Sequence, residues 1–231
     1  MEKSQKIGIF IPAFNEEESI IAVLDKLTKI NETIPVYVID DGSNDLTARV
    51  IVNHGFTCIR HPVNLGGGAA IKTAFMVALN LGYKYVITLD ADGQHDPKLI
   101  PLFIETMNNS DAGLVIGSRF HDKTTVSMKK YRETGIRFFS KYTTLITGQK
   151  ITDVTNCYRM YDMDIISEII NNLNENQYYA IGLVVKIARR GEKIIEIGIK
   201  DIPRTDGDSK KGVLRYLYNL LRIIINMTFT N

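Results

Sequence analysis

Over the first 120 positions, short apolar runs alternate with longer stretches whose apolar residues recur at helical spacing. Lys6–Ile11 (KIGIFI) reads as a strand ending at Pro12, and Glu16–Ile30 as a helix with Asn15 as its cap. Val36–Ile39 predicts a second strand closed by Asp40–Gly42. Asn44–His54 predicts a helix and Thr57–Arg60 a third strand. Gly67–Leu81 is a helix rich in small residues, and Tyr85–Leu89 is a fourth strand. Pro97–Asn108 opens with proline, which suits a first helical turn, and Leu114–Gly117 is a fifth strand. Such alternation predicts an α/β fold with a mostly parallel sheet covered on both faces.

The second half follows a different pattern. Thr124–Thr147 reads as helical and basic, Cys157–Tyr161 as a short strand, and Ile165–Leu173 and Ile181–Arg190 as helices. Lys193–Lys200 alternates like a strand, and a polar loop, Arg204–Lys211, precedes a terminal apolar helix. In parallel α/β sheets ligands sit beyond the carboxyl ends of the strands. The polar clusters Ala13–Glu17, Asp40–Asp45, Asp90–Asp96 and Ser118–Phe120 fall at those ends, which makes them the expected site.

Composition narrows the classes. The 231 residues are 45% hydrophobic and 23% charged, which suits one large globular domain with at most a small appendage. A net charge of +2 gives no general pull toward nucleic acid. Cys58 and Cys157 lack metal-ligand spacing and are too few for a disulfide scaffold, so a reducing, cytoplasmic setting is expected. The short polar start has no secretory pattern, and no uninterrupted run of apolar residues is long enough to read as a spanning helix.

The chemistry concentrates in Asp90-Ala91-Asp92-Gly93-Gln94-His95-Asp96-Pro97. Two carboxylates at i and i+2 past an apolar strand repel one another, and a divalent cation is their natural counter-charge. Mg2+ and Mn2+ take oxygen ligands and bridge carboxylates to substrate phosphates, and Gln94 can add an amide oxygen. The same tripeptide also fits a solvated turn with helix-capping aspartates. Asp40-Asp41-Gly42-Ser43 can accept hydrogen bonds from a ribose or a base, or can simply turn the chain. In Pro12-Ala13-Phe14-Asn15-Glu16, Glu16 is placed either to reach a nucleobase edge or to favour a helix N-terminus. Gly66-Gly67-Gly68-Ala69-Ala70-Ile71-Lys72 lets backbone N–H groups approach a phosphate, although tight helix–sheet packing asks for the same residues.

Taken in order, IPAFNEE, DDGS, GGGAAIK and DADGQHDP resemble the family 2 glycosyltransferases of the GT-A fold. The resemblance continues through Gly117-Ser118-Arg119, Ile151–Asn156 and Ile202–Lys210 and spans almost the whole chain. Within the family it is most similar to the branch that glycosylates dolichyl or other polyprenyl phosphates. It implies a mixed, mostly parallel GT-A sheet flanked by helices, with amphipathic helices at the C-terminal end. Residues 1–211 would form the transferase domain, with a nucleotide-sugar half (1–120) and an acceptor half (121–211), and 212–231 an amphipathic segment.

By the same resemblance, Pro12, Phe14, Glu16 and Asp41 hold the nucleoside of a UDP- or GDP-sugar, with Lys72 nearby. Asp90, Asp92 and Gln94 hold Mg2+ or Mn2+, Arg119 and Arg204 face phosphate groups, and Ser209 and Lys210 belong to a loop that closes over the donor. Attack opposite the leaving diphosphate implies inversion. Asp153 is the candidate base or acceptor-orienting group, needed most if the acceptor is a hydroxyl. Where the family usually reads Ser-Gly-Phe-Arg, this chain has Asn156-Cys157-Tyr158-Arg159.

The segment Lys123–Lys150 carries seven basic residues and one acidic residue among interleaved aromatics, including Arg132 and Arg137. Gly212–Phe229 repeats the theme with Arg215 and Arg222 on nearly one helical face. Basic, aromatic-rich amphipathic helices suit the lipid headgroup region, so a polyprenyl-phosphate acceptor at the cytoplasmic face of a membrane is expected. The alternatives are a soluble transferase acting on a glycan, lipid or protein hydroxyl, a sugar nucleotidyltransferase, and a non-catalytic nucleotide-sugar-binding module.

Overall fold

Alternating burial builds the sheet. In β1 (Ile7–Ala13), Ile9 and Ile11 point to one face and Phe10 to the other, and all three are buried. A computed structural model of the chain describes residues 6–30, 33–121, 128–172, 179–200 and 202. The further strands are β2 (Val36–Asp40), β3 (Thr57–Arg60), β4 (Tyr85–Thr88), β5 (Ala112–Ser118), β6 (Arg159–Asp162) and β7 (Lys193–Gly198). They form one seven-stranded sheet in the order β3-β2-β1-β4-β6-β5-β7. Every neighbouring pair is parallel except those of β6, which runs antiparallel between β4 and β5. The fold is therefore a mixed, mostly parallel α/β sheet with the GT-A architecture. Both halves of the chain contribute strands, since β6 and β7 come from the second.

The helices α1 (Ile20–Ile30), α2 (Thr47–Asn53) and α4 (Ile100–Asn108) cover the face that carries Ile9 and Ile11. α3 (Gly67–Asn80), α6 (Met163–Ile169) and α7 (Tyr179–Arg189) cover the Phe10 face. Each helix docks through its apolar stripe. α1 buries Ile20, Val23, Leu24 and Leu27, each contributing roughly 1.5–3 kcal/mol relative to an exposed position. α3 is lined with Gly68, Ala69, Ala70, Ala74 and Ala78, which let its axis approach β1 and β2 closely. α5 (Lys130–Thr147) buries only Ile136, Phe139, Ser140 and Thr143.

Three local expectations change. Pro12 does not end β1, which continues to Ala13 with Pro12 opposite Ile39. Ile9 donates its N–H toward β2, at Pro35, so alternation turns the nitrogen of Pro12 to the other side, where pairing with β4 has stopped at Phe10–Thr88. A proline there costs no ladder hydrogen bond. The first helix begins at Ile20 rather than Glu16, and Asn15 does not cap it. Asn15 sits at a φ of 54° and its side-chain oxygen accepts from the N–H of Asn44 (2.9 Å), tying the loop after β1 to the loop after β2. The basic helix is described from Lys130 onward. Its expected start at 124–127, the loop Arg204–Lys211 and the segment 212–231 lie outside the described residues, and with them Arg204, Ser209, Lys210, Arg215 and Arg222.

Candidate active site

The order of the sheet creates the site. From β1 the chain steps outward through β2 to β3, then returns to place β4 on the other side of β1. Such a switch opens a crevice at the carboxyl ends of the two strands. The loop after β1 and the acidic turn after β4 are its two walls.

The first wall is sewn to its neighbour. The N–H groups of Asn15 and Glu16 donate to the hydroxyls of Ser43 and Thr47 (both 2.9 Å), and the N–H of Leu46 donates to Glu17 (2.7 Å). Pro12 and Glu16 are half-buried on this wall and Phe14 is exposed. Ser19 Oγ donates to Glu16 Oε2 at 2.6 Å. Asp40, at the end of β2, is fully buried, with Arg60 Nε 3.1 Å from its Oδ2.

Asp41 faces inward. Its Oδ1 accepts from the N–H of Leu65 (3.0 Å) and pairs with His61 Nδ1 (2.8 Å). Its Oδ2 accepts from Asn64 Nδ2 (3.0 Å) and the N–H of Gly66 (2.7 Å). Nδ1 of His61 therefore presents its N–H to the carboxylate, and Nε2 is hydrogen-bonded with Thr73 Oγ1 at 2.9 Å. One carboxylate thus wraps the whole 61–66 loop around itself and anchors it to α3. The turn depends on Gly42, which has a φ of 70°, and a Cβ there would lie 2.3 Å from the carbonyl carbon of Val63. Lys72 lies on α3, beside Thr73. It lines an open groove of about 370 Å3 with Leu65, Ala69, Thr73, Met76, Ile170 and Asn171.

The second wall turns at Gly93, with a φ of 76°. Asp92 Oδ1 accepts from the N–H of Gln94 (3.1 Å), closing a tight Asx turn. The N–H of Asp90 donates to His95 Nδ1 at 3.0 Å. The side chain of Asp90 is 39% exposed, and Asp92 and Gln94 are half-buried. The N–H of Ile202 donates to the carbonyl of Gln94 at 3.3 Å, so the chain comes back to this turn just before Arg204. Two carboxylates and an amide are hard oxygen donors of the kind Mg2+ and Mn2+ prefer, and the donor set fits such a cation. Among the described residues, no three His, Cys, Asp or Glu side chains converge as a ready-made cage. Such a set matches an ion that completes its shell with water and substrate phosphate.

Arg119 follows β5 and is held by Asp153. Its Nε and Nη2 donate to the two carboxylate oxygens at 2.6 and 2.9 Å, and Nη2 also reaches Thr155 (3.1 Å). Asp153 is fully buried, and its own N–H donates to Glu196 of β7 (2.8 Å). The base role expected for Asp153 does not match this geometry, because its two oxygens are consumed by a guanidinium and neither meets solvent. Sequence patterns carry no sign of this pairing, since 34 residues separate the partners.

Cys157 lies in the loop that leads into β6. Burial, reinforced by the negative charge of Asp90, pushes its thiol up to about 11, while Arg159, a hydrogen bond from Tyr179 and Arg119 pull the other way. Arg159 is buried and donates to three carbonyls, those of Asn156, Ala180 and Val154 (2.6–2.7 Å), so it holds the segment rather than a ligand.

Arg137 pairs with Glu133 (2.8 Å) and lies 4.5 Å from the ring centre of Phe120, whose opposite neighbour in the chain is Arg119. Arg132 is exposed. On the outer side of α5, Tyr131, Phe138 and Leu145 are all exposed, seven residues apart on nearly one face, with Lys141 beside them. No helix among the described residues is long and apolar enough to cross a membrane.

Sequence reasoning missed His61, His95, Tyr158 and Glu196. His95 stood inside the acidic motif and was the one with a visible signal. The others act across long sequence separations.

Comparison with known proteins agrees with this layout. Residues 8–170 match the family described as Glycosyl transferase family 2. The undecaprenyl-phosphate mannosyltransferase of Micrococcus luteus is 30% identical over 213 residues, covering 89% of this chain and 87% of its own length. The UDP-N-acetylglucosamine–dolichyl-phosphate N-acetylglucosaminyltransferase of Methanococcus voltae is 29% identical over 215 residues, or 85% of each chain. In fold the chain is similar to glucosyl-3-phosphoglycerate synthase from Mycobacterium tuberculosis, crystallised with Mn2+, UDP and phosphoglyceric acid. That match has a TM-score of 0.75 at 17% identity and covers 98% of this chain and 78% of the other. Both the family match and the aligned relatives run through the strand-end loops described above, and the chain belongs to glycosyl transferase family 2.

Proposed function

We propose that this transferase moves a sugar, with inversion, from a UDP- or GDP-sugar to a polyprenyl phosphate at the cytoplasmic face of a membrane. The observation that carries the reading is the pairing of an open acidic turn after β4 with a buried, carboxylate-held Arg119 after β5. A diphosphate leaving group needs positive charge where its own negative charge develops, and an acceptor phosphate needs it too.

Asp90, Asp92 and Gln94 would hold Mg2+ or Mn2+, which when bound neutralises diphosphate charge. The chain's own groups do the rest. The sewn loops after β1 and β2 shape the nucleoside wall, with Pro12, Phe14 and Glu16 lining it and Asp41 acting through the loop it organises. Arg119, aimed by Asp153, binds a phosphate, with Arg204, Ser209 and Lys210 proposed to complete the donor side.

The locked state of Asp153 favours the phosphate acceptor over a hydroxyl. A phosphate monoester oxygen is already anionic and needs little help from a base, whereas a hydroxyl needs one within hydrogen-bond reach. The names of the two relatives, an undecaprenyl-phosphate and a dolichyl-phosphate transferase, support the same class. The exposed stripe Tyr131–Phe138–Leu145 with Arg132, Arg137 and Lys141 suits a headgroup layer, where apolar side chains sink and basic ones meet lipid phosphate. Arg215 and Arg222 are proposed to add to it.

The test is an acceptor panel with the full chain, Mn2+ and UDP- or GDP-sugars. Transfer to short polyprenyl phosphates, and not to free glycans, is the expected outcome. Transfer to glycan or protein hydroxyls alone would overturn the acceptor assignment.

A further inference from the structure

His95 is nearly fully buried, yet it belongs to the tip of the acidic turn. Its ring lies almost flat on Tyr158, with centroids 5.0 Å apart at 24°, and Tyr158 is packed in turn against Phe103 at 4.4 Å. The Tyr158 hydroxyl donates to the carbonyl of Asp96 at 3.0 Å, so the residue after His95 is fastened too. A ring held this way has little freedom to rotate.

The hydrogen bonding of the ring is directional. Nδ1 accepts the N–H of Asp90, so in the neutral ring the proton sits on Nε2. Nε2 lies 3.9 Å from Asp90 Oδ2, too far for a hydrogen bond but close enough for an N–H dipole to attract the carboxylate. One side chain therefore fixes the backbone of Asp90 and places a ring N–H near its carboxylate. The hydrogen bond at Nδ1 goes to the main chain of Asp90.

Resting on the transferase reading above, we propose that His95 is a positioning residue for the cation site, holding Asp90 so that the acidic turn meets a divalent ion already formed. Partners that orient metal-binding side chains are worth about 10–100-fold in metal affinity when removed. The Tyr158 hydroxyl braces the same turn through the carbonyl of Asp96.

The experiment measures Mn2+ affinity of the full chain by electron paramagnetic resonance, with UDP or GDP present, alongside the unfolding midpoint of the metal-free protein. H95F keeps a ring on Tyr158 but has no acceptor, and should bind Mn2+ about 10–100-fold more weakly. H95N retains an oxygen near the place of Nδ1 and should stay within about threefold of the native chain. A purely structural role predicts lower midpoints with unchanged Mn2+ affinity, and that result overturns the proposal while leaving the transferase reading intact. Equal losses in H95F and H95N overturn the proposal as well. If the native chain binds no Mn2+ with either nucleotide, the transferase reading fails and the proposal with it. H95L, smaller and also without an acceptor, takes the place of H95F if that variant does not fold.

Discussion

Asp41 and Asp90 follow parallel strands and Asp153 lies in the loop leading into the antiparallel β6, and the protein treats the three in two ways. The side chains of Asp41 and Asp153 are 4% and 0% exposed, and each spends both oxygens on groups of its own chain. Asp90 is 39% exposed, and its backbone N–H is held by His95. An acidic residue beyond a parallel strand is therefore not a ligand by virtue of its place alone. What separates the two kinds is burial: the carboxylates of Asp41 and Asp153 meet almost no solvent, whereas that of Asp90 does. The closed carboxylates hold their own loops together, and the open turn is the wall proposed to bind the cation.

The sharpest way to break this comparison is to remove a closed carboxylate. Asp153→Ala leaves the Arg119 guanidinium buried without its partner, a loss of about 3–5 kcal/mol. Urea unfolding should show it as a lower midpoint, and a midpoint like that of the native chain would mean the pair carries no structural load. A slightly smaller effect is expected at the other closed loop. Gly42→Ala forces a Cβ into the backbone of Val63 at 2.3 Å and a side chain into a φ of 70°. Overpacking costs about 1–3 kcal/mol and the left-handed backbone about 1–2 kcal/mol more. The same unfolding assay reads it.

The smallest effect near neutrality comes from the ring of buried hydroxyl and thiol groups beneath the site. Burial raises Tyr158, Tyr161 and Tyr179 above their ordinary value of 10.0, and raises Cys157 from 9.0 to about 11. The folded chain keeps these protons where the unfolded chain gives them up. Their contribution is whole below pH 9 and is lost as pH climbs through 9–11 and beyond. Unfolding midpoints should fall steadily on the alkaline side, and a flat profile from pH 8 to 11 would contradict the burial described for this cluster.

Hydrophobic periodicity made most of the fold legible, because each strand and helix buries one recurrent face. It placed Thr57–Arg60 without error and most other elements to within a few residues. The direction of β6 was not legible, since an alternating strand reads the same whichever way it runs. Its insertion between β4 and β5 is set by contacts far away in sequence. Pro12 misled because a proline breaks a ladder only where a neighbour waits for its N–H. Within the site, the motifs correctly drew attention to the strand ends but did not reveal which carboxylates were already engaged. His61 lies 20 residues from Asp41, and Arg119 lies 34 from Asp153. Neither separation leaves a periodic trace.

The central claim is that the open acidic turn, and not the closed aspartates, grips the donor through a cation. Thermal unfolding with UDP- and GDP-sugars, each with and without Mn2+, tests it on the native chain and on Asp92→Asn. A ligand that binds only the folded state at about 100 times its Kd adds about 2.7 kcal/mol. We predict an upward shift for one donor that requires Mn2+ and disappears in Asp92→Asn, whose metal-free midpoint matches the native one. An equal shift without metal, or an undiminished shift in Asp92→Asn, would contradict the account.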